Sequence, residues 1–299
     1  MIDVKQLAEF IHCNNTGHQK CGYVGSTSND IIHDLEDGLK ENSYLLYQGN
    51  EISGSITLDI YDVGENGQSD IEVWGPYSKV DDISILKRLL IYLHEVTRSR
   101  DIRNIHFFIS EDNRLVMDYM NNLGIIKSSG HYYYSVDLTG DSDSHDLIGS
   151  LSITRLDSSE PKLLAQVIDL HDNSFIDSIL TKEDIIAEAE CSENSDYDIY
   201  SVLHTDCFLG YVIVRKNERT LVINLEYLCV TPEERNKGVG KQIIGFIMDI
   251  YNKLQYTKMD LIVRDNNKGA IDFYDRLNFV REAKMLHIIV DGAMNSYED

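Results

Sequence analysis

Positive charge is scarce in this chain. Its 27 lysines and arginines stand against 50 aspartates and glutamates, a formal net charge of −23. Such a surface repels phosphate backbones, so nucleic acid is not an expected partner. The excess charge serves solubility or draws cationic amines. Long apolar runs are missing too: no stretch of 18 apolar residues exists, and no membrane span is expected. The N-terminal Met-Ile-Asp-Val-Lys-Gln-Leu has no basic region followed by an apolar core, so no signal peptide is expected. Cys13, Cys21, Cys191, Cys207 and Cys229 are odd in number, scattered and without a Cys-x-x-Cys pair. They fit free thiols in a reducing, cytoplasmic setting. His12, Cys13, His18 and Cys21 match no standard zinc spacing, so no metal is expected and the stretch reads as an ordinary loop. What remains, 42% hydrophobic and 26% charged over 299 residues, is globular material for two domains.

Two familiar phosphate loops are also absent: there is no Gly-x-x-x-x-Gly-Lys-Ser/Thr and no Gly-x-Gly-x-x-Gly. In their place an apolar strand from Leu225 turns at Pro232 into Arg235-x-x-Gly238-x-Gly240. An amphipathic helix follows, with Ile243, Ile244, Ile247, Tyr251 and Leu254 on one face of a 3.6-residue period. A helix N-terminus presents unpaired N–H groups and partial positive charge. Glycine lets that backbone approach a ligand. Arg235, Lys237 and Lys241 add formal charge at the same place. The segment predicts a phosphate or pyrophosphate site.

Downstream come a second strand, Met259-Asp-Leu-Ile-Val-Arg264, and then Asn267-x-x-Ala270-x-x-Phe273-Tyr274-x-x-x-x-Phe279. In this order the two motifs resemble the GCN5-related N-acetyltransferase (GNAT) family, over residues 152–292. The resemblance implies acetyl transfer from acetyl-CoA, a co-substrate, to an amine by direct attack in a ternary complex. It implies that Arg235, Asn236, Lys237, Gly238, Val239, Gly240 and Lys241 hold the pyrophosphate. The pantetheine arm would pair with the backbone of Leu228 and Val230 like an added strand. Asn267 would bond the same arm, or cap the next helix. Tyr274 is the candidate acid for the departing thiolate, or else packs beside Phe273. Glu226, four residues before Val230, is the candidate base through water, or a rim charge attracting the amine. Alternation places Glu226, Leu228 and Val230 on one face unless a bulge intervenes. Backbone N–H groups near Cys229 and Val230 are the expected oxyanion donors. Cys229 reads as packing, not as a nucleophile.

In chain order, helices are predicted over 3–12 and 30–39, with a polar loop from Cys13 to Asn29 between them. Strands are predicted over 44–48 and 52–61 around the hairpin pair Gly49-Asn50, and over 69–74. Helix 83–97, strand 104–110, helix 114–123 and strand 132–138 close a first domain, 1–138. The polar stretch 139–149 reads as a linker, and 150–299 as the catalytic domain. The second half repeats the first. Shifted back by 154, Asn267 falls on Asn113, Phe273 on Tyr119, Glu226 on Glu72 and Asp291 on Asp137. The fold class is therefore α/β (α+β): two tandem GNAT-like domains, each a mixed, mostly antiparallel sheet flanked by helices. Under the same shift Arg235, Gly238, Gly240 and Tyr274 become Asp81, Ser84, Leu86 and Met120. The first domain is expected to keep the fold without binding acetyl-CoA in the usual way. The acceptor region, His171–Glu190, is acidic through Asp172, Asp177, Glu183 and Asp184. Partners are a small-molecule or peptide amine, with the halves forming an intramolecular pseudo-dimer in a monomer or homodimer. The alternatives are a sensor that holds acetyl-CoA without turnover, and an interaction protein acting through its first domain.

Overall fold

The computed structural model describes residues 2–63, 67–122, 124, 128–138, 151–175, 178, 180–191 and 195–292. Its first repeat runs α1 (Val4–Asn14), α2 (Ser28–Glu36), β1 (Ser43–Gln48), β2 (Glu51–Val63), β3 (Gln68–Ser78), α3 (Ile83–Ser99), β4 (Ile102–Ser110), α4 (Arg114–Asn122) and β5 (Ser128–Asp137). The second opens with β6 (Leu151–Arg155). It continues with α5 (Pro161–Ser174), α6 (Lys182–Glu190), β7 (Tyr197–His204), β8 (Cys207–Asn217) and β9 (Val222–Val230). It closes with α7 (Val239–Lys253), β10 (Lys258–Arg264), α8 (Lys268–Arg276) and β11 (Val280–Asp291). The expected linker lies outside the described residues.

The repeat is structural as well as sequential. Thr27 and Thr181 each cap a helix and, with Asp30 and Asp184, complete the same capping box. The helices they open, Ser28–Glu36 and Lys182–Glu190, keep the shift of 154. Leu86, Leu89, Leu90 and Leu93 of α3 are buried, as their spacing predicts. So are Ile243, Ile244, Ile247 and Tyr251 of α7. Leu254, expected on that face, is 57% exposed because α7 ends at Lys253.

Compact units do not coincide with the chain halves. One unit gathers the described residues of Met1–Tyr132, Val263–Lys268 and Ala283–Asp299, the other those of Tyr133–Ile262 and Gly269–Glu282. Each repeat therefore gives up its last strand. In the first unit β11 lies antiparallel on β4, from Met285 opposite Ser110 to Asp291 opposite Asn104. Ile288 and Val290 enter its core beside Phe107 and Met120. In the second unit β5 lies beside β10, with Leu138 N–H bonded to Thr257 C=O at 2.8 Å. The boundaries 1–138 and 150–299 mark the repeat. The units follow strand pairing, which no local pattern in β5 or β11 specifies.

The seat of β11 on β4 carries a histidine cluster. His106 Nδ1 stands 3.1 Å from His287 Nε2, and His106 Nε2 stands 3.2 Å from Asp70 Oδ2. The two rings stack at 5.3 Å, and Phe108 and His131 approach His287 edge-on. Burial, with His106, His131 and Arg264 adding to it, holds the His287 pKa down to about 4. Above pH 6.5 both folded and unfolded forms are neutral. Below it the unfolded chain takes up a proton that the folded chain resists, so stability is lost as pH falls from 6.5 toward 4. Urea midpoints are expected to drop across that window, and more steeply in the wild type than in His287→Phe. Parallel pH profiles would remove His287 as a cause.

Candidate functional site

In the second unit two parallel strands part. Pairing of β9 with β10 holds only from Val222 opposite Lys258 to Asn224 opposite Asp260. From there β9 stays with β8 as far as Val230, leaving a wedge on its other edge. Thr231 N–H bonds Leu209 C=O at 2.8 Å. With the two-residue period of a strand, Tyr227 and Cys229 then direct their backbone groups to β8, while Leu228 and Val230 direct theirs into the wedge. Of the two expected oxyanion donors, the N–H of Val230 faces the wedge and that of Cys229 belongs to the ladder.

At the end of β9 a short turn, Pro232–Glu234, leads into the predicted anion loop. Arg235 Nε donates to the carbonyl of Val230 at 3.0 Å, and Lys237 pairs with Glu234 at 3.0 Å. Asn236 and Gly238 take positive φ, 62° and 86°. Gly238 is the N-cap of α7 and supplies no side-chain cap, so the first N–H groups of the helix face out bare. Lys241 is exposed beside them, whereas the Val239 side chain is buried and only its backbone faces the loop. Gly240 also serves packing. A Cβ there would lie 3.2 Å from the Phe273 ring, so its smallness lets α7 pack on α8. Asn267 lies exposed just before α8.

Tyr274 is buried on α8, its ring against Phe273, Phe279 and Tyr134 at 5.1, 5.3 and 6.2 Å. Its hydroxyl has no hydrogen-bond partner among the described residues, and burial pushes its pKa well up. Glu226 sits on a β-bulge: Ile213 opposes Tyr227 and Val214 opposes Leu225, which leaves Glu226 as the extra residue. The shared face predicted for Glu226, Leu228 and Val230 is therefore broken. Tyr227 and Cys229 point to α5, where Cys229 Sγ meets Ser174 Oγ at 3.1 Å. Glu226 stands toward Arg215 and Tyr197 on that face. Its side chain reaches water. The surrounding protein still raises its pKa by desolvation, and Arg215 opposes the rise.

Known proteins share this fold. Residues 164–279 match the family model for the acetyltransferase (GNAT) family. This part of the chain is a GNAT domain, of a family of acyltransferases. A GCN5-related N-acetyltransferase from Sphaerobacter thermophilus superposes with a TM-score of 0.71 at 11% identity, over 97% of this chain and 93% of the other. A tandem GNAT protein from the clavulanic acid biosynthesis pathway gives 0.65 at 14% identity, over 98% and 96%. A Drosophila protein gives 0.58 at 12% identity, over 96% and 97%. At these identities the likeness is one of fold. No curated protein matches the sequence. No described helix is long and apolar enough to cross a membrane, and the described residues hold no metal-binding group.

The first unit has the same wedge, and fills it. Pairing of β3 with β4 ends at Val73 opposite Phe107. Beyond that point Cys21 bridges Ile109 antiparallel, Gly22 N–H bonds Phe108 C=O and Ser110 N–H bonds Lys20 C=O, both at 2.8 Å. On the other side the Gln19 amide accepts from Ser78 N–H and donates to Ser78 C=O, each at 2.9 Å. His18 lies 3.2 Å from Asp81, the counterpart of Arg235. The Asp82 carboxylate caps α3, whereas α7 is bare. The chain thus inserts its own segment where the GNAT domain keeps an open edge. In sequence this segment reads only as polar loop, because its pairing partners lie some 90 residues away.

A second network escaped sequence reading. His171 at the end of α5 is fully buried, with Nδ1 2.7 Å from Tyr211 Oη and Nε2 2.7 Å from Ser178 Oγ. Ser178 Oγ also lies 2.9 Å from both the Leu180 carbonyl and Tyr227 Oη. A carbonyl only accepts, so the single Ser178 proton goes to Leu180. Nε2–H and the Tyr227 hydroxyl then donate to Ser178, and the Tyr211 hydroxyl to Nδ1. Burial keeps His171 neutral, its pKa lowered. The network ties the α5–α6 connection to β8 and β9. A histidine with two polar partners on other elements leaves no pattern in the sequence.

Proposed function

We propose that the second unit transfers an acetyl group from acetyl-CoA to an amine of a small molecule or peptide, by direct attack. The observation that carries the reading is the pairing of an open strand edge with an uncapped, cation-flanked helix N-terminus. An amide-bearing arm and a pyrophosphate fit these two features, and Arg235–Lys241, Leu228 and Val230 would hold them. When bound, the thioester supplies the activated acyl group. The Val230 N–H, turned into the wedge, would polarise its carbonyl. Glu226, with its raised pKa, would take a proton from the incoming ammonium through water. Tyr274 would hold a proton for the departing thiolate. Asn267 would add a polar contact to the arm. The acidic helices α5 and α6, with Asp172, Glu183 and Asp184 exposed, favour a cationic acceptor.

The full chain with acetyl-CoA and a panel of polyamines, aminoglycosides, amino acids and peptides is expected to release free thiol with at least one amine. Tight coenzyme A binding with no amine-dependent thiol release would support a sensor that does not turn over.

A further inference from the structure

We infer that Tyr134 is a positioning residue for Tyr274, an inference that rests on the role just proposed for Tyr274. The Tyr274 hydroxyl lacks a hydrogen-bond partner among the described residues, so nothing polar fixes it. Its place depends on what holds its ring and its helix turn. Phe273 and Phe279 are close to it in the chain. Tyr134 is not: it belongs to β5, the strand that the first repeat contributes to the second unit.

Tyr134 acts on both counts. Its ring tilts 43° against that of Tyr274 at 6.2 Å. Its hydroxyl donates to Asp275 Oδ1, on the residue after Tyr274, at 2.9 Å. Arg281 closes the arrangement. Its guanidinium lies 5.7 Å from the centre of the Tyr134 ring and holds the same Asp275 carboxylate through Nε at 3.1 Å and through Nη2. Tyr134 is fully buried, so its ring has little room to move. A buried ring and a carboxylate bond together fix one turn of α8, the turn that carries Tyr274.

The first unit supplies a control. By the 154 shift Tyr134 corresponds to Ile288, Asp275 to Asn121 and Tyr274 to Met120. Ile288 packs there as plain core. The tyrosine, the aspartate and the candidate acid occur together in the unit with the open wedge and are replaced together in the unit whose wedge is filled. A clamp needed only for folding would be needed in both.

The test is a double-mutant cycle in the full chain. Tyr134→Phe keeps the ring and removes the bond to Asp275, while Tyr134→Leu removes both. Tyr134→Leu is expected to lower kcat about 10–100-fold, the scale of a small misplacement at the reacting centre. Tyr134→Phe is expected to lower it several-fold. Coenzyme A affinity by calorimetry should not change, and both losses should vanish in a Tyr274→Phe background. Should Tyr134→Leu fail to fold, the cycle is read on Tyr134→Phe. Losses that persist unchanged beside Tyr274→Phe, or that follow a loss of coenzyme A binding, would overturn the positioning role alone. Wild-type turnover in Tyr274→Phe itself would overturn the acid, and this role with it.

Discussion

Replacing Tyr274 by phenylalanine is expected to leave coenzyme A binding intact and to lower turnover about 10²–10⁴-fold, the usual cost of losing one general acid. Binding should survive because the hydroxyl has no partner among the described residues to lose, and the ring keeps its contacts with Phe273, Phe279 and Tyr134. Turnover should fall because the phenol is the proposed proton donor. An ordinary phenol, with a pKa near 10, gives its proton slightly uphill to a thiolate whose conjugate acid has a pKa of about 8.5. Burial raises the Tyr274 pKa further. The group therefore stays protonated through the working pH range, and its proton moves only as negative charge develops on the sulfur. Single-turnover thiol release, set beside calorimetric affinity, separates the two effects. A chemical step at the wild-type rate would remove Tyr274 from the mechanism.

The double change Arg235→Glu and Gly238→Asp is expected to abolish coenzyme A binding, for which one site per chain is expected in the wild type. Gly238 is exposed, and a Cβ there would meet nothing within 4 Å. Its φ of 86° strains a non-glycine residue at a cost of roughly 1–2 kcal/mol. A folded variant is expected, with two negative charges set at a bare helix N-terminus. The first unit already resembles that variant, with Asp81 and Asp82 at the start of α3. It also has Lys20–Gly22 in its wedge. A second equal site in the wild type, or binding that outlives the double change, would refute the assignment. Circular dichroism on the same samples would show whether a loss of binding is a loss of fold.

The class of fold, the repeat and the run of glycines and cations before α7 follow from the sequence alone. These are local properties. Helical period set the buried faces of α3 and α7, Thr27 and Thr181 set two helix starts, and glycines and cations cluster within a few residues of Arg235. Tertiary structure decided what depends on distant pairing. It placed β11 in the first unit and β5 in the second, because strand edges are satisfied by whichever partner the topology brings. It set the bulge at Glu226, which turned that carboxylate toward Tyr197 and Arg215 and away from the face of Leu228 and Val230. It filled one wedge with Lys20–Gly22 and left the other open, a difference invisible in a polar loop whose hydrogen bonds run to residues Phe108 and Ser110. It brought Tyr134 against Tyr274 across some 140 residues of chain, so the surroundings of the candidate acid depend on strand exchange and not on any motif around it.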